Sequence, residues 1–472
     1  MTNHPAHTPI NFLRLIFLTL LLIFSNLINS AIASQSASEQ LPPCHIDRVN
    51  DQMPDAFPCS VIIGTTTGLD VATIEYISTS MGLRLHYSFS RFGAISGHVT
   101  SRQILNKLTS DASLLVIPNR MISKFARPPG AGGGGGGKNN QQVISAGVKR
   151  IGADLDLPTR GENIGIAIVD TGIDLSHPDL AVATECFDFF GDDCSDKDGH
   201  GTHVAGIATA LDNNIDIVGV APKAIPYSVR VLDARGSGSD EGLFRGLEWI
   251  LNYGNSFSPP IRVVNMSLGR EGSVNDNPML HTAIIDLYNA GIVVVVAAGN
   301  DPYLEVKNNI PAAYPEVIAV ASTTAEDGTS ACRSHSAPIL KDTASYFTTD
   351  GKYFPGSNEN GVSISAPGET RENINRGCFI KSEGILSLAM GGGTIRMSGT
   401  SMATPHVAGA VALTLSENTE YKTDKIRSVL RGTASGKDSA PYASPTTSYT
   451  YDDEKEGVVS VCGIFFGQAN CQ

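Results

Sequence analysis

Basic residues are outnumbered in this chain of 472 residues. It contains 34 Lys and Arg against 47 Asp and Glu, which gives a formal net charge of −13. A dedicated nucleic-acid binder needs a basic surface to neutralise phosphates, so we expect no nucleic-acid partner. Charged residues make up only 17% of the chain and hydrophobic residues 41%, which is typical of a globular protein rather than a disordered one.

Long apolar runs are also lacking. Near the N-terminus, Arg14 precedes the apolar stretch Leu15–Phe24, and Ala31-Ile32-Ala33 forms a small-residue cleavage pattern before Ser34. We expect residues 1–33 to be a signal peptide and the protein to be secreted, either extracellular or periplasmic. The alternative is a transmembrane anchor, but the uninterrupted run is too short to cross a bilayer, so we expect no stable membrane anchor.

The chain has eight cysteines, an even number. Cysteines in exported proteins are mostly paired, although the sequence alone allows many connectivities. Free thiols are the alternative, which the even count and the expected compartment disfavour. Pairing between sequence neighbours is the most economical arrangement and predicts four disulfides: Cys44–Cys59, Cys186–Cys194, Cys332–Cys378 and Cys462–Cys471.

Composition divides the rest of the chain into four segments. Residues 34–59 are polar with little periodicity, whereas residues 60–125 have the pattern of a small α+β unit. Residues 126–140 are rich in Pro and Gly, which predicts a flexible linker. Residues 141–472 form one large domain, with irregular surface insertions expected near residues 330–361 and 372–393.

The large domain alternates apolar strands with helical stretches. Strands that are apolar throughout predict an α/β fold in which helices cover both faces of a parallel sheet. The predicted strands are Ile164–Val169, Val263–Val264, Val293–Ala298 and Val317–Ala321. The predicted helices are Gly201–Leu211, Glu241–Tyr253, Met279–Ala290 and Thr404–Leu415.

Three motifs in this domain carry catalytic side chains. Asp170 follows the buried strand Ile164–Val169, at the end of the strand where open α/β sheets place their sites. His200 precedes a helix of small residues, and Ser401 begins another helix. A serine hydroxyl is a poor nucleophile until a neutral imidazole takes its proton, and a carboxylate must hold that imidazole in place. We therefore expect Asp170 to orient His200, His200 to be the acid/base and Ser401 to be the nucleophile.

A developing oxyanion also needs hydrogen-bond donors. The apolar strand Val293–Ala298 runs into Gly299-Asn300, which presents the Asn300 amide beside the expected site. The backbone N–H of Ser401, at the positive end of its helix, supplies a second donor.

Four motifs together resemble the subtilisin-like family, the subtilases. They are D-T-G-I-D-x-x-H-P-D-L, G-H-G-T-H-V-A-G, A-A-G-N and G-T-S-M-A-x-P-H-V-A-G, in that family's order of Asp, His and Ser. The resemblance covers roughly residues 141–434. It implies a monomeric serine endopeptidase that hydrolyses polypeptide substrates through an acyl-enzyme.

The resemblance also implies a set of substrate-binding residues. The strand that pairs with the substrate main chain corresponds to Ser267, Leu268 and Gly269. One wall of the first specificity pocket corresponds to Ala298 and Gly299. Arg270 stands where the family usually has a second glycine.

A structural calcium ion is a further implication of the resemblance. The segment Leu211–Gly219 resembles a loop that wraps calcium in subtilisins, and hard cations prefer such oxygen donors. The implied ligands, the aliphatic ones through their carbonyl groups, are Gln142, Asp179, Leu211, Asn213, Ile215 and Ile217. The alternative is a plain polar turn.

Residues 60–125 resemble the inhibitor I9-type propeptide of the same family, especially Val116–Ser123. The resemblance implies an inactive precursor whose own propeptide is an intramolecular inhibitor, with its end near Phe125 held in the active site like a product. Residues 34–59 would then be an N-terminal pro-segment. The linker would then begin the mature enzyme, unless it is trimmed towards Gln141. A permanent N-terminal domain is the alternative.

Two other functions are compatible with parts of the sequence. One is a catalytically inactive, peptide-binding relative, which the intact catalytic residues disfavour. The other is a metallohydrolase that uses His200 and His203, but no third ligand stands nearby, so we expect His203 to be structural, as we do His406. Sedolisin-like and kexin-like enzymes fit less well, because the oxyanion residue is Asn and little chain follows Ala434.

Overall fold

The computed structural model describes residues 41–44, 46, 57–125, 141–445 and 454–471. The chain divides into two compact units, residues 1–120 and 121–472. The expected signal peptide, most of the pro-segment and the linker at residues 126–140 lie outside the described residues.

The first unit is a four-stranded antiparallel sheet with two helices, in the strand order β2-β3-β1-β4. Its elements are β1 (Cys59–Gly64), α1 (Val71–Thr79), β2 (Arg84–Phe89), β3 (Ala94–Val99), α2 (Arg102–Thr109) and β4 (Leu115–Pro118). The helices begin at Asp70 and Ser101, whose side chains accept hydrogen bonds from backbone N–H groups three residues on. The predicted α+β pattern is confirmed.

The second unit contains fifteen strands and seven helices in its described residues. The strands are β5 (Met121–Lys124), β6 (Val143–Ile144), β7 (Gly165–Asp170), β8 (Phe187–Asp188), β9 (Ile217–Val218), β10 (Ile225–Arg230), β11 (Ser237–Ser239), β12 (Ile261–Met266), β13 (Leu268–Glu271), β14 (Val293–Ala297), β15 (Asn309–Ile310), β16 (Ile318–Thr324), β17 (Ile364–Ile374), β18 (Ile380–Leu388) and β19 (Thr394–Met397). The helices are α3 (Ala146–Arg150), α4 (His200–Thr209), α5 (Asp240–Tyr253), α6 (Pro278–Asn289), α7 (Thr400–Glu417), α8 (Thr423–Gly432) and α9 (Val461–Phe466).

A nine-stranded sheet forms the centre of this unit. Its order is β19-β18-β17-β16-β14-β12-β7-β10-β8, and neighbouring strands from β17 to β8 are parallel. Strands β7 and β14 are buried at every position, as expected for strands covered on both faces. Helices α4 and α7 pack against each other and the sheet, and α5 and α6 form a second packed pair. The predicted α/β architecture is confirmed.

The two segments expected to be irregular insertions differ from each other. Residues 330–361 contain no helix or strand. Residues 372–393 are not irregular, because they include the end of β17 and all of β18, which extend the sheet in antiparallel pairing, while their being an insertion stays a prediction. Several inward positions of β18 are Ser382, Gly384 and Ser387 rather than apolar residues, so no hydrophobic alternation marks this strand.

The four predicted disulfides are all present: Cys44–Cys59, Cys186–Cys194, Cys332–Cys378 and Cys462–Cys471. The third joins the two segments that had been expected to be insertions. Within the described ranges, no helix combines the length and apolarity that a membrane span requires.

A small antiparallel sheet lies beside the nine-stranded one, in the order β11-β5-β13-β15. Strand β5 pairs with β11 on one side and β13 on the other. Strand β5 was not predicted from the sequence, although its residues belong to the segment that resembles a propeptide end.

Candidate active site

Asp170 is the last residue of β7, the third strand from one edge of the nine-stranded sheet, and it is fully buried. Its Oδ1 accepts a hydrogen bond from the backbone N–H of Thr171 at 2.7 Å and lies 2.8 Å from Nδ1 of His200. With its proton on Nδ1, the neutral imidazole donates to Asp170 and leaves Nε2 able to accept a proton. This pair has the geometry predicted for the orienting carboxylate and the base.

Asp196 fixes the segment that leads to His200. Its Oδ1 accepts from Thr171 Oγ1 at 2.8 Å and from the Gly199 N–H at 2.9 Å, and its Oδ2 accepts from the N–H and hydroxyl of Thr202 at 2.9 and 2.6 Å. These bonds satisfy N–H groups at the start of α4, which have no partner within the helix. Asp196 was not predicted from the sequence, because an Asp in an acidic, glycine-containing segment is typical of a surface turn.

Ser401 lies in the first turn of α7 and is buried. Its Oγ donates to the carbonyl oxygen of Ser267 at 3.0 Å, and the Ser267 hydroxyl donates back to the carbonyl oxygen of Ser401 at 2.9 Å. His200 Nε2 is buried and has no hydrogen-bond partner among the described residues. The Ser401 hydroxyl is therefore bonded to the segment between β12 and β13, and not to His200.

Asn300 follows β14 and is hydrogen-bonded to the first residue of α7. Its Oδ1 accepts from both the backbone N–H and the hydroxyl of Thr400, each at 2.9 Å. A Cβ at Gly399, whose φ is +149°, would lie 3.1 Å from Asn300 Nδ2 and 3.6 Å from the backbone nitrogen of Ser401. The two predicted oxyanion donors therefore border one small space, which the glycine leaves open.

The predicted substrate-binding strand lies in the small sheet. Leu268 and Gly269 belong to β13 and are paired with β5, in which Leu268 is opposite Lys124 and Gly269 is opposite Ser123. The ring of Phe125 packs so closely on Gly269 that a Cβ there would lie 2.7 Å from its Cζ.

Ala298 and Gly299 lie between β14 and Asn300. The Ala298 carbonyl oxygen accepts from Asn309 Nδ2 at 2.7 Å. Gly299 has a φ of +123°, and a Cβ there would collide with Asn309 and with the hydroxyl of Thr349. A glycine is therefore required here for both conformation and space.

Arg270 is held in a buried ion-pair network. Its guanidinium donates to Asp240 through Nε at 3.0 Å and Nη2 at 2.7 Å, and to Asp276 through Nη1 at 2.6 Å. Burial disfavours its charge, but the two carboxylates raise the pKa of Arg270 above its usual range. The family that the sequence resembles usually has a glycine at this position, and here the Arg270 side chain is accommodated by Asp240 and Asp276.

The residues expected to bind calcium converge around the side chain of Gln142. Its Nε2 lies between 2.7 and 3.5 Å from four oxygen atoms, which are the carbonyl oxygens of Leu211, Ile215 and Ile217 and Oδ1 of Asn213. The described residues include no group of three or more His, Cys, Asp or Glu side chains that could hold a metal ion. Most oxygen donors in this loop are backbone or amide carbonyls.

Asp179 is fully buried beside the same loop. Its Oδ2 accepts from the Ile217 N–H at 3.1 Å, while Oδ1 has no hydrogen-bond partner among the described residues. Burial, together with the nearby charge of Asp216, raises the pKa of Asp179 to about 7 against the opposing effect of the hydrogen bond from Ile217. A cation beside this buried carboxylate would stabilise its charged form.

The two remaining histidines of interest are bonded to the backbone. His203 Nε2 lies 3.1 Å from the carbonyl oxygens of both Ile385 and Ile395, which ties α4 to β18 and β19. His406 Nδ1 bonds to the Met402 carbonyl oxygen at 2.8 Å, and complete burial lowers the pKa of His406 to about 4. Both contacts support the structural roles expected for these residues.

Comparison with known proteins gives the family of the chain. The pattern of Peptidase_S8, the Subtilase family, matches residues 161–459. Over 276 residues the chain is 38% identical to a thermostable alkaline protease of Halalkalibacterium halodurans, covering 58% of this chain and 63% of that protein. Over 279 residues it is 34% identical to Subtilisin E of Bacillus subtilis, covering 58% of this chain and 61% of that protein. The match thus spans about three fifths of the length of these relatives.

A solved structure supports the same assignment. Sphericase superposes with a TM-score of 0.54 at 29% sequence identity, covering 68% of this chain and 100% of the sphericase chain. The family pattern extends over more than half of the chain and includes Asp170, His200, Asn300 and Ser401. The resemblance predicted from the four motifs is confirmed, and the chain belongs to the subtilase family.

Proposed function

We propose that this protein is a secreted serine endopeptidase that hydrolyses peptide bonds in polypeptides through an acyl-enzyme. The observation that carries the proposal is the buried 2.8 Å contact between Asp170 and His200 at the start of α4, which packs against the helix bearing Ser401. A carboxylate at the end of a strand, together with an imidazole and a serine at the starts of two helices that pack against each other, supplies the groups that acyl transfer requires.

Acylation begins when the Ser401 hydroxyl turns from the Ser267 carbonyl towards His200. As Oγ attacks the substrate carbonyl carbon, its proton moves to His200 Nε2, and Asp170 stabilises the resulting imidazolium. The carbonyl oxygen becomes negatively charged, and Asn300 Nδ2 and the Ser401 N–H donate to it. His200 then protonates the leaving amine, and a water molecule releases the acyl group by the reverse sequence.

We also propose that the chain is made as a zymogen, with its N-terminal segment as an intramolecular inhibitor. Strand β5 supports this idea, because it lies between β11 and β13 as a peptide bound through its main chain would. Phe125, the last described residue before the linker, packs against Gly269, which is a position suited to the side chain before a cleaved bond. Cleavage after Phe125 would leave this strand bound as a product.

Secretion is supported by the cysteines. All eight are paired, and disulfides persist in oxidising compartments such as the extracellular space and the periplasm. The predicted signal peptide at residues 1–33 would direct the export.

A calcium ion fits the loop around Gln142. Three carbonyl oxygens and Asn213 Oδ1 converge there, and Asp179 brings a buried carboxylate oxygen that lacks a partner. An all-oxygen donor set with one carboxylate suits calcium, provided that the Gln142 amide turns to present Oε1. The ion would neutralise Asp179 and hold the loop that follows α4.

The test is maturation of the full chain. Wild-type precursor should lose its N-terminal segment and hydrolyse a peptide substrate, whereas Ser401→Ala should remain full length, because the same nucleophile would cut the junction. N-terminal sequencing of the mature form should find a start after Phe125 or further towards Gln141.

Maturation of Ser401→Ala expressed alone would refute self-processing. Peptide hydrolysis that is lost with a chelator but persists in Ser401→Ala would instead favour the metallohydrolase. A folded wild-type protein that cleaves no peptide would favour the inactive, peptide-binding relative.

A further inference from the structure

Strand β5 brings a basic side chain to the proposed active site. Ser123 is opposite both Ser237 of β11 and Gly269 of β13, and the Lys124 N–H donates to the Gly236 carbonyl oxygen at 2.9 Å. The backbone is therefore held from both sides up to Lys124. With Phe125 at the position before a cleaved bond, Lys124 is the second residue before that bond, the position called P2.

The side chain of Lys124 lies in a defined groove. Its aliphatic carbons pass over Gly236, whose φ is +73°, and occupy the space that a side chain at that position would fill. Its ammonium forms an ion pair with the carboxylate of Asp198. The side chains are 27% exposed for Lys124 and 13% for Asp198, so the contact is largely shielded from solvent.

Asp198 is fixed on the segment that carries the catalytic base. It stands two residues before His200, and its N–H donates to Asp196 Oδ1 at 3.0 Å. The neighbouring Lys197 pairs with Asp193 at 2.9 Å. Within the described part of the chain, Lys124 is the one cation paired with Asp198, so departure of β5 would leave this carboxylate facing the groove without a counter-ion.

We propose that Asp198 determines substrate specificity by selecting a lysine or arginine at P2. The inference rests on the proposed peptidase function and names a preference of that same site. A basic P2 side chain would repeat the Lys124 contact, whereas an acidic one would place two negative charges together, so both attraction and repulsion contribute. Because Gly236 has no side chain, the groove has room for the long unbranched aliphatic part of a basic P2 side chain.

The inference is tested with fluorogenic peptides based on residues 121–125, Met-Ile-Ser-X-Phe, in which X is Lys, Met or Glu. Met matches the length of the lysine stem without its charge. For the mature wild-type enzyme we expect kcat/KM to be about three- to tenfold higher for Lys than for Met, and lowest for Glu. In Asp198→Asn the Lys-to-Met ratio should fall to about one, and higher salt should reduce the wild-type ratio.

Asp193→Asn is the matched control. It removes the same charge from the same segment, but Asp193 is 61% exposed and paired with Lys197, so the Lys-to-Met ratio should be retained. The Lys-to-Met ratio of kcat/KM is taken within each variant. An effect of the substitution on His200 that slows both peptides equally therefore cancels in the ratio. Equal rates for Lys and Met in the wild type, or a ratio unchanged by Asp198→Asn, would overturn the inference.

A second measurement does not depend on catalysis. In the full-length Ser401→Ala precursor, the thermal midpoint is compared for Lys124→Met, Asp198→Asn and both together. Non-additive shifts are expected from a direct pair, and strictly additive shifts would overturn the inference. Failure to hydrolyse any of the peptides would refute the proposed function and substrate selection with it, whereas hydrolysis without P2 preference would refute the present inference alone.

Discussion

Asn300 offers the sharpest test of transition-state stabilisation in this site. Replacing it with alanine removes the Nδ2 donor beside the space kept open by Gly399. In subtilisin, loss of one oxyanion donor is known to cost about 2.7–4 kcal/mol of barrier stabilisation. Each 1.36 kcal/mol is a factor of ten, so we expect Asn300→Ala to lower kcat by about 10²–10³-fold with little change in KM.

Asn300→Asp separates the donor from the anchoring role of the side chain. The carboxylate retains an oxygen for the two hydrogen bonds from Thr400, whereas alanine loses both. Each such bond contributes about 1 kcal/mol, so Asn300→Ala should reduce the free energy of unfolding by about 2 kcal/mol and Asn300→Asp by much less. Both variants should nevertheless lose turnover, since both lack the donor.

Steady-state kinetics on a peptide substrate, together with chemical unfolding of each variant, provide the measurement. If Asn300→Asp kept normal turnover, the Nδ2 donor would not stabilise the transition state. If KM rose while kcat stayed normal, Asn300 would be a substrate-binding residue instead.

Three further predictions concern stability. Chelation of a calcium-loaded sample should remove a stabilisation of RT ln(1 + [Ca²⁺]/Kd), which is about 2.7 kcal/mol at a hundredfold excess over Kd, and should therefore lower the thermal midpoint. Asp179→Ala should have a low thermal midpoint that the chelator does not change. Identical melting of the wild type with and without chelator would contradict the site. Arg270→Met should cost about 3–5 kcal/mol in chemical unfolding, because it removes the guanidinium that offsets the buried charge of Asp240. Adding Asp240→Leu should recover part of that loss, and an unchanged midpoint in Arg270→Met would mean that the network contributes nothing. Because the pKa of His406 falls from 6.5 to about 4 on folding, the unfolded state binds the proton first as the pH is lowered. The free energy of unfolding should therefore decline by about 3 kcal/mol between pH 6.5 and pH 4. His406→Met should show a shallower decline, and equal slopes in the two proteins would refute the lowered pKa of His406.

The sequence predicted those parts of the fold that depend on local pattern. Strands β7, β12, β14 and β16 are buried at nearly every position, because both faces of each are covered, and each was identified from the apolar run that it contains. The disulfides were predictable because three of them close short loops, which favours pairing between neighbours. The catalytic residues were found because four motifs stand in one order along the chain.

Other elements carry no such local signal. Strand β5 is only four residues long and exposes Met121 and Ser123, so its conformation depends on β11 and β13, which are distant in the sequence. Strand β10 includes Pro226, a residue that is unusual in a central strand. These strands follow from tertiary pairing rather than from periodicity.

The charged contacts of the site were equally hidden in the sequence. Asp196 and Asp198 lie in an acidic segment that is typical of a solvated turn, and only the fold turns one towards α4 and the other towards Lys124. The departure of Arg270 from the family pattern was visible in the sequence, but its partner Asp240, which lies thirty residues earlier, was not. Pairs of this kind require the three-dimensional arrangement.

The central claim is that Ser401 is a nucleophile activated by His200, and active-site labelling tests it most directly. The mature wild-type enzyme is treated with a fluorophosphonate, digested and mapped by mass spectrometry, alongside folded Ser401→Ala and His200→Ala. The account predicts one phosphonylated serine at position 401 in the wild type, none at any serine in Ser401→Ala and strongly slowed labelling in His200→Ala. An unlabelled, correctly folded wild type, or labelling that persists in Ser401→Ala, would contradict it.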